Sequence, residues 1–283
     1  MIANDAVDRN ERMKSSVGRE IGVLQHIRHP LLIGMKAAFE TVDTLHTVLV
    51  LEHVGGGELF DLVGRAHASF TDEFVERSMG ELVAAIGWMH QLGLVHRDIK
   101  LENIILTRPL FVDGSIELPP KSEPMIKLTD FGLSRFIDLE GSLLSTRCGS
   151  EEYAAPELIL GKAYDGRKTD VWALGVVGYA LVVGRLPFGG NSRRQMLVKI
   201  AKGSYEWPSE EEGEKGKMKG GDGIKSLVEK MLVREAERRI RIEELEGFEE
   251  FKERWNHKGL GRRPIEGSEA ARFLAGEILP IET

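Results

Sequence analysis

Asp98, Lys100 and Asn103 fall within one short stretch, LVHRDIKLEN (94–103), set in an otherwise apolar run. Charge is expensive in such a place unless it holds something. The Asp98 carboxylate can accept the proton of a hydroxyl. Lys100, two residues on, can reach the same side of an extended loop, toward a phosphate. Asn103 offers an amide oxygen to Mg²⁺, a hard ion that prefers oxygen donors. A second oxygen donor stands in TDFGL, where Asp130 occupies a tight strand-to-loop turn and Gly132 frees the backbone. Phosphoryl transfer asks for these groups: phosphate charge neutralised, a metal ion held, and the attacking hydroxyl aimed.

Elements must exist to aim them. Residues 8–28 read as a helix, with Val17, Ile21, Leu24 and Arg28 at helical spacing and Pro30 closing the segment. Two β-like runs follow, LLIGMKAAFE and HTVLVLEHV, joined by the turn-like TVDT. The glycines of VGGGELF then mark the boundary between a small sheet-bearing part and a large helical one. A long helix is predicted over 72–92. Thr71 caps it, Asp72 and Glu73 suit its positive end, and Gly93 stops it. Its buried stripe is Val75, Met79, Leu82, Val83, Ile86 and Met89. Further helices are expected at 224–233 and 242–255. TRPLFVDGSIELPPKSEP (107–124) reads as an insert, and the charged, glycine-rich 209–223 as a mobile solvent loop.

The chain has 283 residues and a net charge of −7, enough for one large domain or two lobes around a cleft. Its 42% apolar content supports a real core. The acidic balance argues against a nucleic-acid partner. Cys148 is the only cysteine, which rules out an internal disulfide and suits a reducing compartment, the cytoplasm or nucleus. VWALGVVGYALVV (171–183) is too short for a bilayer and reads as a buried helix, so no membrane partner is expected.

HRDIKLEN, then DFG, then Ala155-Pro156-Glu157 resemble, in this order, the signature of the protein kinases. Each motif alone is weak; the ordered set is not. The resemblance covers roughly residues 8–255. It implies an α+β, bilobal kinase-like fold, with a truncated small lobe (1–54), a helical large lobe (55–255) and a tail (256–283). It implies ATP and Mg²⁺ as cofactors, Asp98 as catalytic base, Lys100 as the phosphate-contacting lysine, and Asn103 and Asp130 as metal ligands. It places Glu20 as the glutamate of the first helix, and Leu51 as gatekeeper of a hinge whose Glu52 and Val54 backbone faces adenine. His96 and Phe131 stack in the spine between the lobes. Asp170 caps the catalytic loop, and Glu157 pairs with Arg239. Lys100 two residues after Asp98 resembles the serine/threonine branch. STRCGSEEYAAPE resembles the activation segment of the calcium/calmodulin-kinase and AMP-kinase-like group. On that likeness Thr146 accepts phosphate from an activating kinase and Arg97 receives the phosphate. Glu58 and Glu102, beside the same cleft, favour a protein substrate with a basic residue upstream of its target Ser or Thr.

The family also carries a G-x-G-x-x-G loop and a V-A-I-K-like strand lysine ahead of the first helix. Neither motif occurs in this sequence. Lys14 lies within the predicted helix, and alternation sends Lys36 away from the spine. Glu20 is therefore left without an evident partner, and Val17, Ile21 and Leu24 without the strands that cover them in the family. The expectation is a piece of a longer kinase; the alternatives are a pseudokinase or docking module, or a partner that completes the small lobe. Cys148 reads as a small packed residue rather than a reactive thiol, His29 as a satisfied structural histidine, and Thr146 as either a switch or a capping hydroxyl.

Overall fold

The computed structural model describes residues 2–3, 11–41, 46–138, 143–209, 218–246 and 260–261. Strand β1 (Ile2–Ala3) and helix α1 (Glu11–His26) come first, followed by β2 (Ile27–Arg28), β3 (Met35–Glu40) and β4 (His46–Leu51). The small sheet has the order β1-β4-β3, all antiparallel. Its cover over α1 is better than expected from the sequence. Leu24 is 3% exposed, and Val17 and Ile21 are half-buried. The turn after α1 supplies part of that cover, because Leu31, Leu32 and Ile33 are themselves core. Lys36 is exposed, as alternation requires. The TVDT turn lies almost entirely outside the described residues.

After the hinge come α2 (Leu59–Ala66) and α3 (Asp72–Gln91). Helix α3 begins where the sequence predicts: Thr71 Oγ1 accepts the Phe74 N–H at 3.2 Å, and Gly93 leaves the helix at φ 71°. Every residue of its predicted stripe is buried. Then follow β5 (Leu94–Val95), β6 (Ile104–Leu106), the hairpin β7 (Phe111–Val112) and β8 (Ser115–Ile116), β9 (Ile126–Leu128) and β10 (Arg135–Phe136). Strand β6 pairs with β9, and β5 with β10. The two pairings bring LVHRDIKLEN beside TDFGL.

Helices α4 (Pro156–Ile159), α5 (Gly166–Val183), α6 (Arg193–Lys202), α7 (Gly221–Met231) and α8 (Ile242–Glu246) complete the large lobe. Helix α5 carries the VWALGVVGYALVV run and is apolar all round, as a helix wrapped on every side must be. It stops at Gly184, φ 82°. Most of the 209–223 stretch and the second half of the predicted 242–255 helix lie outside the described residues. Of the predicted tail, Leu260–Gly261 forms β11 and pairs with β2. The lobes are stitched directly: Ile33 N–H donates to Leu128 O at 2.9 Å, and Leu128 N–H to Leu31 O at 2.8 Å. The turn after α1 therefore runs beside the strand that leads to Asp130.

Candidate active site

Asp98 sits at the centre of the loop between β5 and β6 and is 8% exposed. Donors converge on its carboxylate. Ser150 gives both its N–H and its hydroxyl to Oδ1, each at 3.0 Å. Lys100 Nζ lies 3.0 Å from Oδ2, and Asn103 Nδ2 donates to Oδ2 at 3.3 Å and to the Asp98 carbonyl at 2.8 Å. Lys100 Nζ also donates to Ser150 Oγ at 3.1 Å. With the Asn103 nitrogen so engaged, its Oδ1 is left without a hydrogen bond among the described residues. The Asn103 carbonyl accepts the Thr129 N–H at 2.9 Å, so the chain steps directly from Asn103's backbone to Asp130.

Asp130 stands at φ 64°, a left-handed conformation uncommon for a residue with a side chain, and is exposed. Its Oδ1 accepts the Gly132 N–H at 3.2 Å, which closes the turn. A Cβ on Gly132 would come within 2.3 Å of Ser16 Oγ, so that hydroxyl would have to turn away. The Gly132 carbonyl accepts from Ser16 Oγ and from Arg19 Nη1, both at 3.0 Å, which docks α1 on the turn.

Below the turn, Phe131 is fully buried and meets His96 with ring centroids 5.2 Å apart. His96 accepts the Asp98 N–H at Nδ1 and donates from Nε2 to the Thr129 carbonyl. Burial holds His96 below its ordinary value, so the ring is a neutral strut between Asp98 and Asp130. Asp170, at the start of α5, accepts the N–H groups of His96 and Arg97 at 2.9 and 2.8 Å. Those bonds hold Arg97 at φ 69°. Glu157 meets Arg239 in a buried two-pronged pair at 2.8 and 3.1 Å, anchoring the segment that carries Ser150.

Glu20 accepts the Phe131 N–H, and among the described residues no cation answers it. Burial, and then the neighbouring Asp130 charge, push its carboxyl up to about 7. At the hinge, Leu51 pairs with Met35, while the Glu52 carbonyl and the N–H and carbonyl of Val54 take no hydrogen bond among the described residues. Glu58 is exposed and makes no side-chain cap at α2. Glu102 accepts from Tyr153 Oη at 3.3 Å. Thr146 is exposed, and its carbonyl accepts from Tyr164 Oη at 2.7 Å.

The Asp98 carboxylate, the Asn103 amide and the Asp130 turn thus stand on two adjoining segments, and the hinge keeps backbone groups without hydrogen bonds among the described residues. The Protein kinase domain family matches residues 2–248. The chain belongs to the protein kinase family. It is similar to the serine/threonine-protein kinase SIK3 homolog of Danio rerio, at 34% identity over 250 residues, which is 88% of this chain. Those residues span 18% of that relative's length, so the kinase shares one part of a much longer protein.

Sequence reasoning missed Ser150, whose contact with Asp98 nothing in the local sequence marks. Gly149 has φ 90°, and a Cβ on it would meet the Arg97 carbonyl at 2.5 Å, so only glycine lets the segment approach the catalytic loop. Arg19 and Arg135 were missed too. Burial, followed by the charges of Arg97 and Arg135, holds the Arg19 guanidinium below its ordinary value, which places three arginines in one neighbourhood. Cys148 is half-buried and burial pushes its thiol up, the condition of an unreactive cysteine. His29 stacks on Trp88 and accepts the Leu31 N–H at Nδ1, a satisfied structural histidine.

Proposed function

We propose that this kinase transfers the ATP γ-phosphoryl group to serine or threonine hydroxyls of proteins, with Mg²⁺. The convergence of Ser150, Lys100 and Asn103 on the Asp98 carboxylate, one peptide step from the Asp130 turn, carries the reading. Bound Mg²⁺ and ATP supply the phosphoryl group and the cation that neutralises it. Asp98 takes the proton from the acceptor hydroxyl, and its donors fix which lone pair is presented. Lys100 adds positive charge beside it. Asn103 Oδ1 and the Asp130 carboxylate would hold the cation, and the backbone of Glu52 and Val54 would receive the adenine edge.

Glu58, exposed and with no side-chain hydrogen bond among the described residues, prefers a basic residue upstream of the target hydroxyl. Glu102 is a second such contact, oriented by Tyr153. Thr146 is the regulatory hydroxyl: a phosphate on it would neutralise Arg97, with Arg19 and Arg135 beside it, and the buried Arg97 Nη1 has no partner among the described residues. The test compares the chain with Asp98→Asn for Mg²⁺-dependent phosphate incorporation into a protein substrate. Incorporation that survives the substitution sinks the reading.

One observation favours a second reading, a docking module without catalysis: Glu20 has no cation among the described residues. That reading predicts no Mg²⁺-dependent nucleotide binding by the intact chain.

A further inference from the structure

We infer that Lys127 is a positioning residue for the hinge: its ammonium, clamped on the Glu52 carboxylate, holds the Glu52–Val54 peptide in the conformation that receives a nucleoside base. The inference rests on the kinase reading above. Lys127 Nζ lies 2.8 Å from Glu52 Oε1, with side chains 14% and 31% exposed. The same oxygen accepts the Gly34 N–H at 2.7 Å, while the Glu52 N–H donates to the Gly34 carbonyl at 2.8 Å. Lys127 Nζ also donates to the Leu32 carbonyl at 3.3 Å.

Three segments meet at this carboxylate: the turn after α1, the hinge, and β9, which leads to Asp130. Ile126 and Leu128 are buried, so alternation turns Lys127 to the opposite face. Gly34 admits the carboxylate closely, since a Cβ there would lie 3.3 Å from Glu52 Oε1. The backbone groups of Glu52 and Val54 that lack hydrogen bonds among the described residues belong to the peptide so held. An ordinary surface ion pair contributes little. This one differs because each partner also grips backbone, so its loss frees the peptide that a base must find already ordered.

The experiment measures adenosine affinity by calorimetry, KM for ATP against kcat, and hydrogen exchange at the Gly34 and Glu52 amides. It compares the intact chain with Lys127→Met and Lys127→Arg. Lys127→Met is expected to weaken adenosine about ten-fold and to raise KM alike, with kcat within about two-fold, and Lys127→Arg to restore both. The two amides should exchange about ten-fold faster in Lys127→Met. If Lys127→Met does not fold, Lys127→Gln, which removes the charge and keeps a polar side chain, is expected to act the same way. A lower melting temperature with adenosine affinity and amide exchange unchanged, or tighter adenosine binding, overturns the proposal. Should the intact chain bind no adenosine at all, the kinase reading fails. The clamp is then judged on exchange alone: faster exchange upholds it and unchanged exchange overturns it.

Discussion

Asp98 and Ser150 divide the work that one carboxylate alone does poorly. Asp98→Asn should lower turnover by about 10²- to 10⁴-fold, the usual reach of a general base. Ser150→Ala removes two charge-assisted hydrogen bonds, the one to Asp98 and the one accepted from Lys100; the bond to Asp98 alone, at ~1.5–3 kcal/mol, should cost roughly 10- to 100-fold in kcat with little change in KM for ATP. Steady-state kinetics on the two variants check both figures, and an unaffected kcat in Ser150→Ala would remove the serine from the catalytic account. Glu20 makes a pH prediction. Its folded value, near 7, exceeds its ordinary one, 4.5, so the folded chain binds that proton more tightly. The stabilisation is fully present below the lower value and is lost as pH rises through about 7. Glu20→Gln should flatten the fall in melting temperature between roughly pH 5 and 8; an unchanged slope would show that Glu20 titrates normally. The residues of the catalytic loop were legible because their chemistry is compressed into ten consecutive positions. Ser150 was not, because its partner lies 52 residues away and nothing local marks the contact.

Helix α3 shows the same division one scale up. Its caps and buried stripe could be read from periodicity, since both depend on residues within a few turns. Its polar face could not. Arg77 and Glu81 have the spacing of an ordinary surface pair, yet are 4% and 0% exposed. The 107–124 stretch explains why. It forms the β7–β8 hairpin and then folds back over α3. There Arg77 donates to the carbonyls of Pro119, Pro120 and Glu123, and Glu81 accepts the N–H groups of Met125 and Ile126. What reads as an insert is thus the anchor for β9 and, through it, for Asp130. Arg77→Met should cost about 3–5 kcal/mol, because it leaves a buried carboxylate and three carbonyls without their cation. Chemical denaturation measures this, and a loss below ~1 kcal/mol would mean that the anchor is dispensable.

At the scale of the molecule, the bilobal kinase fold was legible from the order of three motifs, while the closeness of the lobes was not. The sequence reading left α1 poorly covered; the structure seats its lower end on the turn at residues 31–33. Mg²⁺·ATP at about a hundred times its dissociation constant should stabilise the folded kinase by ~2.7 kcal/mol. Thermal melts with and without Mg²⁺ test this, and no Mg²⁺-dependent shift would mean that the cleft is not loaded through Asn103 and Asp130.

The backbone bonds from Leu31 and Ile33 to Leu128 have a mechanical consequence. They make the foot of α1 travel with the large lobe, so the fulcrum of any opening motion lies at residues 31–34 while β3 and β4 swing like a visor above it. Spin labels at Gln25 and Lys121 should keep their separation when nucleotide is added, whereas a label on Lys36 moves relative to both.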